Sequence, residues 1–301
     1  MNYPLIASLV FTLALMPSAR AADATPYVLK STDVVDVRAT QLKRDYQLFV
    51  SLPPSYEKSA RRYPVVFVTD ADYAFPLIRS MARRLGTGSH GVEEFILVGL
   101  SYAKGDTPEY SRRRDYTPSD TAEKGRVSDM PGRAPKFGES EGYRRFIKDE
   151  VFPVIAQRYR ADMERKVFAG HSYGSLLGLH IAFTEPAMFS HYILGSPSLW
   201  YGKRVMFARE KAYAASHKDL DAKFYFSVGG FETFKPGSRD TRYNTDEDMV
   251  ADLLEFEALL KKRQYPGLKM ETAILADEDH LSVAPVIITR GLKWALPSGK
   301  R

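Results

Sequence analysis

The chain contains no cysteine. That excludes disulfides, thiolate metal sites, a cysteine nucleophile and a lipidated N-terminal cysteine. Charge of one sign is not in large excess: 43 Lys and Arg stand against 37 Asp and Glu, a formal net charge of +6. So mild a balance does not mark a nucleic-acid-binding chain, and no nucleic-acid partner is expected. Beyond residue 21 no apolar run approaches the ~20 residues of a membrane-spanning helix, so no membrane anchor is expected. Internal repeats and domain-splitting linkers are missing too. With 44% apolar and 27% charged residues among 301, the composition excludes collagen-like, coiled-coil and disordered chains and suits a large globular core.

The first residues read as a targeting segment. Leu5 to Met16 is apolar and uncharged, Pro17 breaks the run, and Ala19-Arg20-Ala21 is a small-x-small cleavage site. Residues 1–21 are therefore predicted to be a secretory signal peptide, and residues 22–301 a single exported domain.

Within that domain short β runs alternate with helical patterns. Residues 46–52 alternate like a half-buried strand, whereas 64–69 and 95–100 are continuous apolar runs, as in strands buried on both faces. Further strands are predicted at 166–170, 192–196, 224–228 and 268–275, and helices at 142–158, 173–183, 244–262 and 285–296. The alternation predicts an α/β fold: a mostly parallel central sheet with helices on both faces. Residues 101–141 break the pattern and read as a long polar insertion rich in Pro, Gly and Arg. Such lengths are uncommon in compact domains unless they are functional or disordered.

Gly170-His171-Ser172-Tyr173-Gly174 fits G-x-S-x-G, and its setting gives it weight. A buried strand precedes it and a helix follows, as a nucleophile elbow requires. Glycines flank the serine because side chains at both positions would clash in so tight a turn. The turn lifts the Ser172 hydroxyl to a helix N-terminus, where the N–H of Tyr173 can stabilise an oxyanion. Serine needs a base, and in α/β-hydrolase order the acid and then the histidine follow the serine. Of six histidines, His90 precedes the serine, His171 sits inside the elbow, His180 is on the next helix, His191 begins a strand and His217 lies in a polar stretch. His280 follows the last strand and takes the base's place. For the acid, Glu232 is favoured as the first carboxylate after the 224–228 strand; Asp240, Asp277 and Asp279 are the alternatives. A second oxyanion donor is expected after the 64–69 strand, at the N–H of Asp72. This chemistry calls for no metal or other cofactor.

Further segments carry a resemblance. Tyr63-Pro-Val-Val-Phe-Val-Thr-Asp70, Val98-Gly-Leu-Ser-Tyr102, Arg114-Asp-Tyr-Thr-Pro118, the elbow, Ser196-Pro-Ser-Leu-Trp200, His280-Leu-Ser-Val-Ala-Pro285 and Arg290-Gly-Leu292 occur in order from about Tyr46 to Leu296. Together they resemble the enterobactin-esterase-like group of the α/β hydrolases. Ser175 and Leu281 stand where that group commonly has glycine, and Tyr201 where a second Trp is common. The resemblance implies Ser172 as nucleophile, His280 as base and Tyr173 as oxyanion donor. It also implies an exported, periplasmic esterase that opens the lactone of a catecholate siderophore such as ferric enterobactin and releases its iron. An anionic aromatic complex would want arginine and aromatic contacts, and Arg112, Arg114, Tyr116, Trp200 and Tyr201 are the expected set. A carboxylesterase acting on carbohydrate or other acyl esters is the alternative; a non-catalytic binding protein on the same fold is a further one, against which the intact Ser172 and His280 argue.

Overall fold

A computed structural model describes residues 25–85, 91–120 and 127–299. The predicted signal peptide and His90 lie outside the described residues, as does part of the insertion. Among the described residues no helix is long and apolar enough to cross a membrane. The fold begins at Ser31.

Eight strands make one sheet in the order β1-β2-β4-β3-β5-β6-β7-β8. They are β1 (Thr32–Ala39), β2 (Arg44–Ser51), β3 (Tyr63–Val68), β4 (Ile96–Leu100), β5 (Ala161–His171), β6 (His191–Gly195), β7 (Lys223–Gly229) and β8 (Lys269–Leu275). β2 runs antiparallel to both β1 and β4, and every other pairing is parallel. β3 and β4 are buried at every position, which is why they read as unbroken apolar runs. β1, at one edge, alternates exposed and buried residues. It pairs with β2 across a turn in which Lys43 takes a left-handed φ of 55°.

Helices cover both faces. On β6, Ile193 packs under Gly291 of α8 (Val283–Ala295), while its neighbour Leu194 packs under Gly178 of α5 (Tyr173–Ala182). Successive strand residues point to opposite faces, so α8 and α5 lie on opposite sides of the sheet. α1 (Ala71–Leu85) joins α8, and its Ala71 and Phe75 fill the space beside Gly99. The helix predicted at 142–158 is three pieces end to end: α3 (Ser140–Phe146), a π turn (Ile147–Val151) and α4 (Phe152–Arg158). Pro153 cannot donate to the carbonyl four residues back, and the wider turn, closed by Phe152 N–H on the Ile147 carbonyl, absorbs the conflict. α6 (Tyr201–Ser216) opens with three left-handed residues, Gly202 to Arg204. α7 (Met249–Arg263) starts five residues later than the pattern suggests, because the Asp248 side chain caps it by accepting from Ala251 N–H.

The insertion is not structureless. It contains α2 (Pro108–Tyr116), started by Thr107, whose hydroxyl accepts from Tyr110 N–H, and by Pro108 in the first turn. Arg114 is buried inside it. Its guanidinium meets Asp106 at 2.6 Å and Asp115 at 2.8 Å, with all three side chains at most 5% exposed. Asp115 also accepts from Tyr46 Oη at 2.8 Å and pairs with Arg44 at 3.0 Å, so α2 is bonded to β2. Charge runs suggest solvated loops; here the charges compensate one another inside the fold. Arg114→Leu is expected to lower stability by about 3 kcal/mol, since removing one partner strands buried charge. Urea unfolding measures this, and an unchanged midpoint would contradict it.

Candidate active site

β5 delivers the elbow. Ser172 sits at φ 58°, ψ −119° between the end of the strand and α5, a conformation costing about 1–3 kcal/mol in a non-glycine residue. Its neighbours leave no room. A Cβ on Gly170 would lie 2.4 Å from the Gly174 carbonyl carbon, and one on Gly174 would lie 2.3 Å from Thr69 Oγ1. Two bonds pin the turn to β6: Ser172 N–H donates to Gly195 O at 2.9 Å, and the buried Ser175 hydroxyl donates to the same carbonyl at 2.7 Å. Ser175, standing where the resembled group commonly has glycine, is thus a tie.

Tyr173 opens α5, and its N–H faces out of the helix N-terminus beside the serine. The turn after β3 abuts this point through Thr69 and Asp70, and Asp72 is the second residue of α1, where helix N–H groups again face outward. Asp70 is fully buried at a left-handed φ of 53°, and it accepts from Tyr102 Oη at 2.7 Å and Arg112 Nε at 2.9 Å. Partial burial, with Asp70 close by, holds the Asp72 carboxyl above its ordinary range.

His280 lies in the loop between β8 and α8. Its Nδ1 is 2.6 Å from Glu232 Oε2. Glu232 ends the short 3₁₀ turn Gly230–Glu232 after β7 and is fully buried. Its other oxygen accepts from the Ser196 hydroxyl at 2.6 Å and from Gly229 N–H at 2.8 Å. A carboxylate so bonded accepts from Nδ1–H and leaves Nε2 as the imidazole's acceptor. Two of the alternative acids are engaged elsewhere: Asp240 holds Arg242 at 2.7 Å, and Asp279 accepts from the N–H groups of Leu281 and Ser282 at 2.8 and 2.9 Å. The His171 ring lies 4.6 Å from that of His280. Burial pushes His171 well below the ordinary histidine range, and His280 and Arg112 push it the same way.

Ser172 and His280 open on a cavity of about 330 Å³. Ser198, Trp200, residues 241–247 and Met249 complete its lining. Ser198 Oγ lies 3.3 Å from Ser172 Oγ. Of the five expected substrate contacts, only Trp200 lines this cavity. Arg114 is held in its buried ion pairs. Tyr116 is buried with its hydroxyl on Asp70 N–H, and Tyr201 is buried with its hydroxyl on Ser119 O at 2.8 Å. Arg112 stands near the elbow, 5.3 Å over the Tyr173 ring, but its guanidinium is bound to Asp70. Arg114, Tyr116 and Tyr201 are corrected to supports of the fold, because they are buried and their polar groups are bound within it; Arg112 is paired with Asp70 and does not line the cavity. The 241–247 lining was not foreseen: Asp246 lines the cavity rather than opening a helix. A polar, turn-rich stretch after the acid was its only signal. Among the described residues no group of three or more His, Asp or Glu side chains could hold a metal ion.

The Esterase family profile matches residues 39–254, most of the chain. The chain belongs to the Esterase family. It is a serine hydrolase of α/β fold, and its relatives include siderophore esterases. It is 29% identical over 277 residues to the ferri-bacillibactin esterase BesA of Bacillus subtilis, covering 91% of this chain and 92% of that one. It is 29% identical over 268 residues to the siderophore triacetylfusarinine C esterase of Aspergillus fumigatus, covering 82% and 87%. The siderophore hydrolase EstB of Aspergillus nidulans superposes with a TM-score of 0.75 at 23% identity, covering 93% of this esterase and 99% of EstB.

The tight elbow generates a prediction. Gly170→Ala in this esterase should lower stability by at least about 1–3 kcal/mol, because its methyl would strike backbone that cannot yield. A thermal melt equal to that of the parent would contradict it.

Proposed function

We propose that the chain hydrolyses ester bonds of a siderophore through Ser172, His280 and Glu232. The observation that carries the mechanism is the 2.6 Å contact of a fully buried Glu232 with Nδ1 of His280, which lines the cavity together with Ser172. His280 takes the Ser172 proton as the hydroxyl attacks the ester carbonyl. Glu232 orients the ring and stabilises the imidazolium. The N–H groups of Tyr173 and Asp72 receive the oxyanion. His280 returns the proton to the departing alcohol, and water, activated by the same base, then frees the acyl group from Ser172. The product of each turn on a lactone is an acid and an alcohol.

The siderophore reading rests on the motif resemblance and on relatives whose names specify siderophore esters. We propose a ferric catecholate as substrate and the periplasm as its place. Trp200 offers a flat face in the cavity. Arg242 lines the same cavity, 3.8 Å over the Phe231 ring; it is paired with Asp240, but unlike Arg112 and Arg114 its side chain is half-exposed there and within reach of a ligand. A general acyl-ester substrate is the second reading, favoured by the withdrawal of those two arginines.

Ser172→Ala should fold and lose hydrolysis by several orders of magnitude; more than a tenth of parental activity would exclude Ser172 as nucleophile. With ferric enterobactin as substrate, Arg242→Gln should raise KM several-fold and leave KM for a neutral p-nitrophenyl ester unchanged, since a remote contact adds binding only. Product masses showing no lactone opening, beside brisk p-nitrophenyl ester turnover, would favour the second reading. Exported protein should begin at Ala22 by N-terminal sequencing, and an intact Met1 would contradict export by a cleaved signal.

A further inference from the structure

The turn Ser196-Pro197-Ser198 follows β6, and its two hydroxyls go to opposite ends of the catalytic relay. Ser198 Oγ is 3.3 Å from the nucleophile's oxygen. Ser196 Oγ is 2.6 Å from Glu232 Oε1. Ser196 is fully buried, at a left-handed φ of 42° that a glycine would adopt without strain. Its N–H is bonded to Ser227 O at 2.7 Å, so the backbone is fixed by the β7 side of the sheet. What a glycine there would lack is the hydroxyl.

We propose that Ser196 is a positioning residue for the acid: its hydroxyl fixes the carboxylate of Glu232 in the plane that presents Oε2 to His280. The proposal rests on the reading of Glu232 as the acid of a Ser172–His280–Glu232 relay. Glu232 sits at the end of a single 3₁₀ turn, and its carboxylate is joined to the backbone through three rotatable bonds, Cα–Cβ, Cβ–Cγ and Cγ–Cδ. Gly229 N–H reaches Oε1 from the acid's own turn at 2.8 Å. Ser196 reaches it from a different strand, 36 residues away in sequence. Two donors from separate elements on one oxygen fix the carboxylate's rotation, which one local donor does not. A charge-assisted O–H bond of this length in a buried site is among the stronger hydrogen bonds. The same turn also carries Trp200 into the substrate cavity. One short segment thereby sets the acid, touches the nucleophile and shapes the pocket.

The test uses the full chain and a p-nitrophenyl ester. Ser196→Gly removes the hydroxyl and suits the backbone. Its kcat should fall about tenfold with KM within about twofold, the loss expected for one charge-assisted bond acting only on the relay. Ser196→Ala, which keeps the parent's Cβ at this φ, should show the same kinetic loss. The far-downfield NMR signal of the His280 Nδ1 proton should shift in Ser196→Gly, which a purely structural role would not cause. On a Glu232→Gln background, Ser196→Gly should add less than about a twofold further loss, because groups acting as one unit are not additive. Parental kcat in both Ser196 variants beside an impaired Glu232→Gln would overturn the proposal alone. So would a full tenfold loss repeated on the Glu232→Gln background. A fully active Glu232→Gln would overturn the underlying relay and the proposal with it.

Discussion

A carboxylate with no exposure to water organises the catalytic end of this molecule. Glu232 is fully buried, and its two oxygens accept from Ser196, Gly229 and His280. Burying a charge without such donors is costly enough to unfold a marginal domain. The donors come from the ends of β6 and β7 and from the loop after β8, so the carboxylate is satisfied only when three neighbouring parallel strands are in register. A histidine held this way has one tautomer and one ring orientation. The reverse dependence holds as well: the loop carrying His280 has an exposed Leu281 and acidic residues, and its bond to Glu232 ties it inward.

The serine side is held by sterics rather than charge. The elbow forces Ser172 to a backbone that serine does not favour, and the surrounding fold supplies the compensation. β5 is buried where it enters the turn, and α5 is buried along its whole length. Gly170 and Gly174 let strand, turn and helix approach closely. Around this point the insertion gives structural support. Its α2 sends Arg112 and Tyr116 to Asp70, next to the elbow, and sends Arg114 and Asp115 into the core beside β2. A polar segment that reads as a surface loop is therefore a brace for the β3–α1 turn, on the side from which the second oxyanion donor is expected.

Much of the fold was legible because parallel strands buried on both faces leave unbroken apolar runs such as 64–69 and 95–100. Capped amphipathic helices leave their own period. β1, α1, α2 and α6 were not foreseen: β1 is an edge strand, α2 lies in a stretch that reads as a polar loop, and α6 begins in left-handed residues that break the helical pattern. The positions of Ser172, Glu232 and His280 could be named because each follows a strand in an order that the sheet imposes. Substrate contacts could not. Whether an arginine faces a cavity or an aspartate depends on side-chain partners distant in sequence, as Arg114 with Asp106 and Arg112 with Asp70 demonstrate. The Ser196 hydroxyl was visible in its motif, yet its target lies 36 residues onward across the sheet.

The central claim is that Ser172 is a nucleophile made reactive by His280 and Glu232. Labelling by an aryl phosphonate followed by peptide mass mapping tests it most directly. The account predicts one phosphonyl group per chain, on the peptide containing Ser172, with labelling slowed at least about tenfold when His280 is replaced by Ala. A label on any other residue, or an undiminished rate in the His280 variant, would contradict it.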